Sequence, residues 1–219
     1  MSPARRLLLL GHRGAPYVKT IPENTVASFD RALADGCHGF EFDVRLTADG
    51  QPVLCHNPKF AGIEISKATS RDLAGVPSLQ DVLRRYSRTA FLDIELKVVG
   101  LEQLTVSLLA QFHPERGFVV SSFLPEVIER LDRLDAGVPL GLICEKKSQL
   151  DRGKGLPVEY VIAHYKLLTP KVMQRLQETG KRVLAWTVNN SVDMKRMARY
   201  GVEGIISDKT AVLRRTFEN

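Results

Sequence analysis

The stretch GFEFDVRLTADGQPVLCHNP, residues 39–58, decides how the whole chain is read. Its opening residues alternate. Phe40, Phe42 and Val44 fall on one side of an extended strand, and Glu41 and Asp43 on the other, because side chains two apart share a face. Two carboxylates side by side on a buried face repel each other and lose hydration, so they require a cation or a bound proton. A turn at ADG and a second short run, QPVLCH, follow, and that run closes on His56.

The same mixture of short β-like runs and helical patterns continues in both directions. The strand candidates are RLLLLGH, GFEFDV, TAFLDIEL, GFVVSS, PLGLIC, YVIAHY, RVLAWTV and GIISD. Between them lie amphipathic segments such as NTVASFDRALADG, SLQDVLRRYS and TPKVMQRLQETG, several of which end in Gly. Strands alternating with helices imply parallel strands joined by right-handed crossovers. Eight such units predict a closed (β/α)₈ barrel, an α/β fold that usually needs about 250 residues, so 219 would make a compact one. The structural alternative, an open doubly wound sheet, usually announces a Gly-rich first turn, and GHRG has the wrong spacing for one. The expected organisation is one domain over residues 1–219, with a short rim insertion after the second strand at about 50–77.

Bulk properties exclude several classes. Apolar and charged fractions are those of a soluble globular protein. The longest purely apolar run, Leu7–Leu10, is far short of the about 20 residues a membrane span requires, so no stable membrane anchor is expected. The start MSPARRLLLL resembles a signal peptide only superficially, because GHRG stands where a cleavage site would follow. The reading is a cytoplasmic protein with its mature N-terminus near Met1. Cys37, Cys55 and Cys144 show no CxxC spacing and suit small buried side chains in a reducing compartment. The 31 basic residues against 25 acidic ones favour anionic partners. They are scattered, whereas nucleic-acid binding would want a concentrated basic patch, so no nucleic-acid partner is expected.

In a parallel barrel the C-terminal strand ends surround the active site. The charged residues gather at those ends: His12 and Arg13 after the first strand, Glu41 and Asp43 on the second, Asp93, Glu95 and Lys97 on the third, and His56 after the extra strand. Glu41, Asp43 and Glu95 converging from neighbouring strands would suit a hard divalent cation, Mg²⁺ or Ca²⁺, rather than zinc. Arg13 and Lys97 would hold a phosphate against it, and two histidines suit one proton donor and one acceptor. His38, His113 and His164 read as ordinary structural residues.

GHRGAPYVKTIPENTVASFDRALADG, EFDVRLTADGQPVLCHNP, LDIELK, AWTVN and GVEGIISD, in that order, resemble the glycerophosphodiester phosphodiesterases from about Leu8 to Lys209. The resemblance implies a (β/α)₈ barrel that hydrolyses a small-molecule glycerophosphodiester to glycerol 3-phosphate and an alcohol with a divalent cation. It implies His12 and His56 as the acid–base pair, Glu41, Asp43 and Glu95 as metal ligands, and Arg13 and Lys97 as phosphate contacts. Trp186 and Phe123 would wall the substrate pocket. Glu23 would tie down the first loop or approach the cation, and Asn24 reads as a helix N-cap.

The chain departs from the family pattern at two places. Asn57 follows His56 where the family usually has Asp, which removes an accessory carboxylate and predicts tuned activity. The segment from Pro58 to Val76 is shorter than the insertion that covers the mouth in many relatives and lacks its Arg-Thr-Thr stretch. The rival function is lysophospholipase D-like or sphingomyelinase D-like hydrolysis of a lipid phosphodiester, with Phe60, Ile63 and Ile65 as the apolar surface it would need. A silent phosphate-binding scaffold would lack a histidine or a metal carboxylate, and a lyase or aldolase barrel would not require two histidines beside a phosphate clamp.

Overall fold

The structure, a computed structural model, describes residues 7–134 and 137–218. Met1–Arg6, on which the N-terminal expectation rests, lie outside the described residues, as do two residues at the end of the LPEVIERLDRLDAG pattern.

All eight expected runs form strands: β1 (Leu8–His12), β2 (Gly39–Leu46), β6 (Phe91–Leu96), β7 (Phe118–Ser122), β8 (Leu140–Cys144), β9 (Tyr160–His164), β10 (Arg182–Trp186) and β11 (Gly204–Ser207). Each pairs in parallel with its neighbours, and β1 pairs with both β2 and β11, which closes the barrel. Among the described residues eight helices lie between or after them: α1 (Val26–Ala34), α2 (Leu79–Tyr86), α3 (Glu102–Phe112), α4 (Pro125–Arg133), α5 (Lys147–Arg152), α6 (Pro170–Glu178), α7 (Ser191–Arg199) and α8 (Thr210–Phe217). This is the expected (β/α)₈ barrel.

Strand alternation builds two cores. One face of each strand packs on the helices, and there Phe29 of α1 stacks on Phe40 at 4.2 Å and lies 5.8 Å from Phe42 and 5.9 Å from Tyr86. The other face fills the barrel with Leu10, Val119, Ile143, Ile162, Leu184 and Ile206. Period two then carries each inward row upward, from Leu10 to His12, from Phe91 through Asp93 to Glu95, and from Leu184 to Trp186. At the base, a Cβ on Gly39 would come within 1.9 Å of the Phe91 carbonyl, so only glycine admits the β2–β6 approach there.

The rim insertion contains β3 (Pro52–Leu54), antiparallel to the end of β2, and a two-stranded hairpin of β4 (Lys59–Phe60) and β5 (Ile63–Glu64). It has its own small core of Val53, Cys55, Ile65, Ala68 and Leu73. Ile65 is therefore buried beneath the insertion instead of contributing to an apolar surface, whereas Phe60 and Ile63 are exposed. All three cysteines are buried and unpaired. Among the described residues no helix is long and apolar enough to cross a membrane.

Candidate active site

The barrel mouth opens on a pocket of about 270 Å³ lined by the ends of most strands. Glu41, Asp43 and Glu95 offer carboxylate oxygens that all lie within 4.8 Å of one another, and all three residues are buried. Register explains the meeting: Asp43 pairs with Glu95 across β2–β6, and Glu41 pairs with His12 across β1–β2.

Electrostatics show what this costs. Burial, then the charges of Asp43 and Glu95, hold the Glu41 carboxyl well above its ordinary range. Burial also pushes Glu95 up to about 7, against the opposing pull of Lys97. Asp43 suffers the same burial, but Lys97, Arg13 and a hydrogen bond from Asn24 outweigh it and keep the group low. Two cations thus answer three carboxylates. The Lys97 ammonium lies 2.7 Å from Glu95 and 3.2 Å from Asp43, and the Arg13 Nε lies 3.2 Å from Asp43. Asp43 Oδ1, fully buried, has the Lys97 ammonium at 3.2 Å as its charge partner but no bond of hydrogen-bond geometry. An all-oxygen donor set of three buried carboxylates that repel one another fits a hard divalent cation.

The first loop is tightly specified. Gly14 has φ +86°, and a Cβ there would sit 2.3 Å from Ser28 Oγ. That hydroxyl accepts from the Ala15 amide at 2.7 Å and donates to the Arg13 carbonyl at 2.9 Å. Arg13 itself has φ +50°, a conformation costing of order 1–3 kcal/mol that persists only where its surroundings enforce it. Its amide donates to Glu41 at 3.0 Å, and its guanidinium donates to both oxygens of Glu23 at 3.1 Å. Glu23 therefore ties down Arg13 in the first loop. Asn24 is not the N-cap of α1. Thr25 caps the helix by accepting from the Ser28 amide, while Asn24, at φ +57°, donates to Asp43 Oδ2 at 2.8 Å and accepts from the Asp43 amide at 3.2 Å.

The two histidines lie on opposite flanks. His56 follows β3, where the Arg45 guanidinium clamps its carbonyl at 2.7 Å and 3.0 Å. Its Nδ1 meets Asn57 Oδ1 at 3.1 Å, so Asn57 takes the accessory position next to that ring. Burial, with Arg13 and Lys97, lowers its pKa against the opposing pull of Asp43, favouring the neutral imidazole. His12 Nδ1 lies 2.6 Å from Asp208 Oδ1, with Nε2 3.8 Å from Glu41. Asp208 in turn accepts from the Asn189 amide at 2.6 Å, while Asn189 Oδ1 accepts from the Ser207 hydroxyl and the Asp208 amide. Burial opposes ionisation of Asp208, but His12 and Asn189 prevail and hold it low.

Asp208 and Asn189 have no assignment in the sequence reading, although both fall in its quoted AWTVN and GIISD runs. Only barrel closure brings them to His12. Asp93 is also inside the pocket, fully buried one inward step below Glu95; it accepts from Ser121 at 2.6 Å, and burial pushes it up to about 7. Trp186 and Phe123 line the pocket and meet edge to face at 5.7 Å. His38 and His113 pack structurally, the former accepting from the Leu9 amide and the latter lying against Phe118. His164 braces Trp186.

Comparison with known proteins agrees with this architecture. The model of the Glycerophosphoryl diester phosphodiesterase family matches residues 12–73 and 61–212. A glycerophosphodiester phosphodiesterase of Caldanaerobacter subterraneus subsp. tengcongensis is 28% identical over 236 residues, covering 95% of this chain and 96% of the relative. The crystal structure of a Thermotoga maritima glycerophosphodiester phosphodiesterase superposes with a TM-score of 0.82 at 22% identity, covering 96% of this chain and 98% of the other. An Oleispira antarctica phosphodiesterase in complex with the product sn-glycerol-3-phosphate superposes with a TM-score of 0.83 at 23% identity, covering 97% of each chain. At these identities the two structures speak for the fold alone.

Proposed function

The chain belongs to the glycerophosphoryl diester phosphodiesterase family and is an enzyme of that activity, and from this premise we propose that it converts glycerophosphodiesters to glycerol 3-phosphate and an alcohol by metal-assisted acid–base catalysis on His12 and His56. The whole chain serves as one catalytic domain, with the insertion at about 50–77 forming part of its rim. The observation that carries the reading is the conjunction in one pocket of three mutually repelling buried carboxylates, two cations and two histidines with separate partners.

Glu41, Asp43 and Glu95 would hold the cation, Mg²⁺ or Ca²⁺. When bound, it would polarise a non-bridging phosphate oxygen and offset charge developing at phosphorus. Arg13 and Lys97, both lining the pocket, would contact the phosphate. Proton movement belongs to the histidines. His56, whose Nδ1–H donates to the neutral Asn57 carbonyl, presents Nε2 as an acceptor for the nucleophile's proton. His12, held by the Asp208 carboxylate, presents Nε2 to the pocket and delivers a proton to the departing alcohol. Trp186 and Phe123 wall the opposite side. A cytoplasmic location accords with three buried free thiols.

The lipid reading is not favoured: of its three apolar residues Ile65 is buried, and the relatives reported above carry glycerophosphodiester names. The test is release of glycerol 3-phosphate from glycerophosphocholine and glycerophosphoethanolamine with Mg²⁺, with Ca²⁺ and with chelator. Cation-dependent release supports the proposal. Release that chelator leaves unchanged contradicts the metal's role, and no release from either substrate contradicts the substrate class.

A further inference from the structure

The pocket has two unlike halves. The residues that would hold the cation and the phosphate line the side built from β1, β2 and β6. The side built from β8 to β11 offers Ile143, Ile162 and Ile206, with Trp186 above them and one carboxylate, Glu145. Among the described residues Glu145 is the single charged group lining that half.

Register makes this arrangement a designed surface. Glu145 follows Cys144, the last residue of β8, and Cys144 pairs with Ala163, so Glu145 stands beside His164 at the end of β9. His164 pairs with Trp186 at the end of β10. These three residues are the next inward step above Ile143, Ile162 and Leu184, on three successive strands. The Trp186 indole N–H donates to the Ile162 carbonyl at 3.1 Å, which fixes the ring. His164 and Phe123 brace it at interplanar angles of 89° and 84°. The turn carrying Glu145 is pinned as well, because Gln149 Oε1 accepts from the amides of Glu145 and Lys146, both at 2.8 Å. Burial and Lys166 lower the His164 pKa, so that ring adds no positive charge beside Glu145.

A phosphodiester bound through its phosphate on the cation side must send one arm across the pocket. A polyol arm wants several hydrogen-bonding partners, both donors and acceptors, and apart from the Glu145 carboxylate, an acceptor only, three isoleucines and an indole whose N–H is already used supply none. A quaternary or primary ammonium wants an aromatic face and one carboxylate. We propose that Glu145 and Trp186 form a head-group subsite for a cationic alcohol, so that the enzyme selects choline- and ethanolamine-type glycerophosphodiesters over those of neutral polyols. This deepens the phosphodiesterase reading of the same pocket and rests on it for its kinetic consequence.

Trp186 is the only tryptophan in the chain, so its fluorescence reports the subsite without turnover. Choline titrated into the wild-type protein should change that fluorescence saturably, whereas glycerol should not. Glu145→Gln should weaken choline binding about fivefold, the size of one solvent-exposed charge pair. In kinetics, the ratio of kcat/KM for glycerophosphocholine to that for glycerophosphoglycerol should favour the former and fall about fivefold in Glu145→Gln and further in Glu145→Lys. No saturable choline signal, or a ratio unmoved by Glu145→Gln, overturns the subsite. Equal losses on both substrates would also overturn it and place Glu145 on the glycerol arm. A wild-type protein that binds choline but hydrolyses neither diester would uphold the subsite and contradict the phosphodiesterase reading.

Discussion

Replacing Asp208 with Asn probes the part of the catalytic proposal that depends most on the closed barrel. Asp208 touches no substrate position; it acts through His12, whose Nδ1 it holds at 2.6 Å. The carboxylate selects the tautomer with Nδ1 protonated, leaves Nε2 facing the pocket, and faces the ring with negative charge when that ring carries a second proton. Its side chain is 30% exposed, so the contact is partly shielded from water. A hydrogen bond to a charged group is worth ~1.5–3 kcal/mol, which converts to a fall of about 10- to 160-fold in kcat at about 1.36 kcal/mol per decade. The carboxamide of the Asp208→Asn variant still fills the space, and Asn189 retains its own contacts to Ser207 and to the backbone, so the melting temperature should move little. The assay is the initial rate of glycerol 3-phosphate release at varied glycerophosphocholine. The loss should fall on kcat, with KM changed by no more than about twofold, because a positioning residue acts on the chemical step. A folded Asp208→Asn protein with wild-type kcat, or one whose loss lies wholly in KM, would refute this role.

Three further outcomes follow from the same structure. Glu41→Gln should abolish cation-dependent turnover while giving, in chelator, a melting temperature equal to or above that of the wild type. It removes a buried charge that Asp43 and Glu95 oppose yet retains an acceptor for the Arg13 amide; a clear drop in melting temperature would contradict the repulsion. Burial pushes the Cys37 and Cys144 thiols up to about 12, so the folded protein resists ionisation that the unfolded chain permits. Their contribution to stability is complete below the ordinary thiol pKa of about 8.5 and is lost as pH rises towards about 12, at no more than about 1.4 kcal/mol per pH unit per thiol. Thermal melts from about pH 8 to about pH 11 should show a shallower decline for Cys37→Ala/Cys144→Ala than for the wild type, and parallel curves would count against it. Phe29→Ala should cost ~3–5 kcal/mol in urea unfolding, since the ring is fully buried against Phe40, Phe42 and Tyr86; a loss under about 1 kcal/mol would mean the helix face repacks.

How much of this was legible in the sequence depends on the range of the interaction. GFEFDV and FLDIEL exposed their inward carboxylates because strand alternation is a local property, and parallel register did the rest by placing Asp43 opposite Glu95. The eight strands were legible for the same reason. Asn24 misled because Asn and Thr are both good N-caps and stand side by side. The choice went to Thr25 once the chain turned through a left-handed conformation at Asn24 and gave its side-chain amide to Asp43, a contact 19 residues away. Asp208 lies 196 residues from His12, so its pairing with that ring could not be read locally. Glu145 and Asp208 each stand one residue past a strand, where counting the alternation one step further would have marked both as inward. Ile65 belonged to a miniature core that only the folded insertion creates.

The central claim, two histidines moving protons beside a separate cation site, is tested most directly by comparing His12→Ala and His56→Ala on two substrates. Both variants should keep cation binding by calorimetry and lose about 10²- to 10⁴-fold in turnover of glycerophosphocholine. On the p-nitrophenyl ester of glycerophosphate, whose leaving group needs no proton, His12→Ala should recover most of its rate while His56→Ala should not. Near-wild-type turnover of glycerophosphocholine by either variant would contradict the acid–base pair. Recovery by His56→Ala instead would reverse the two roles assigned here.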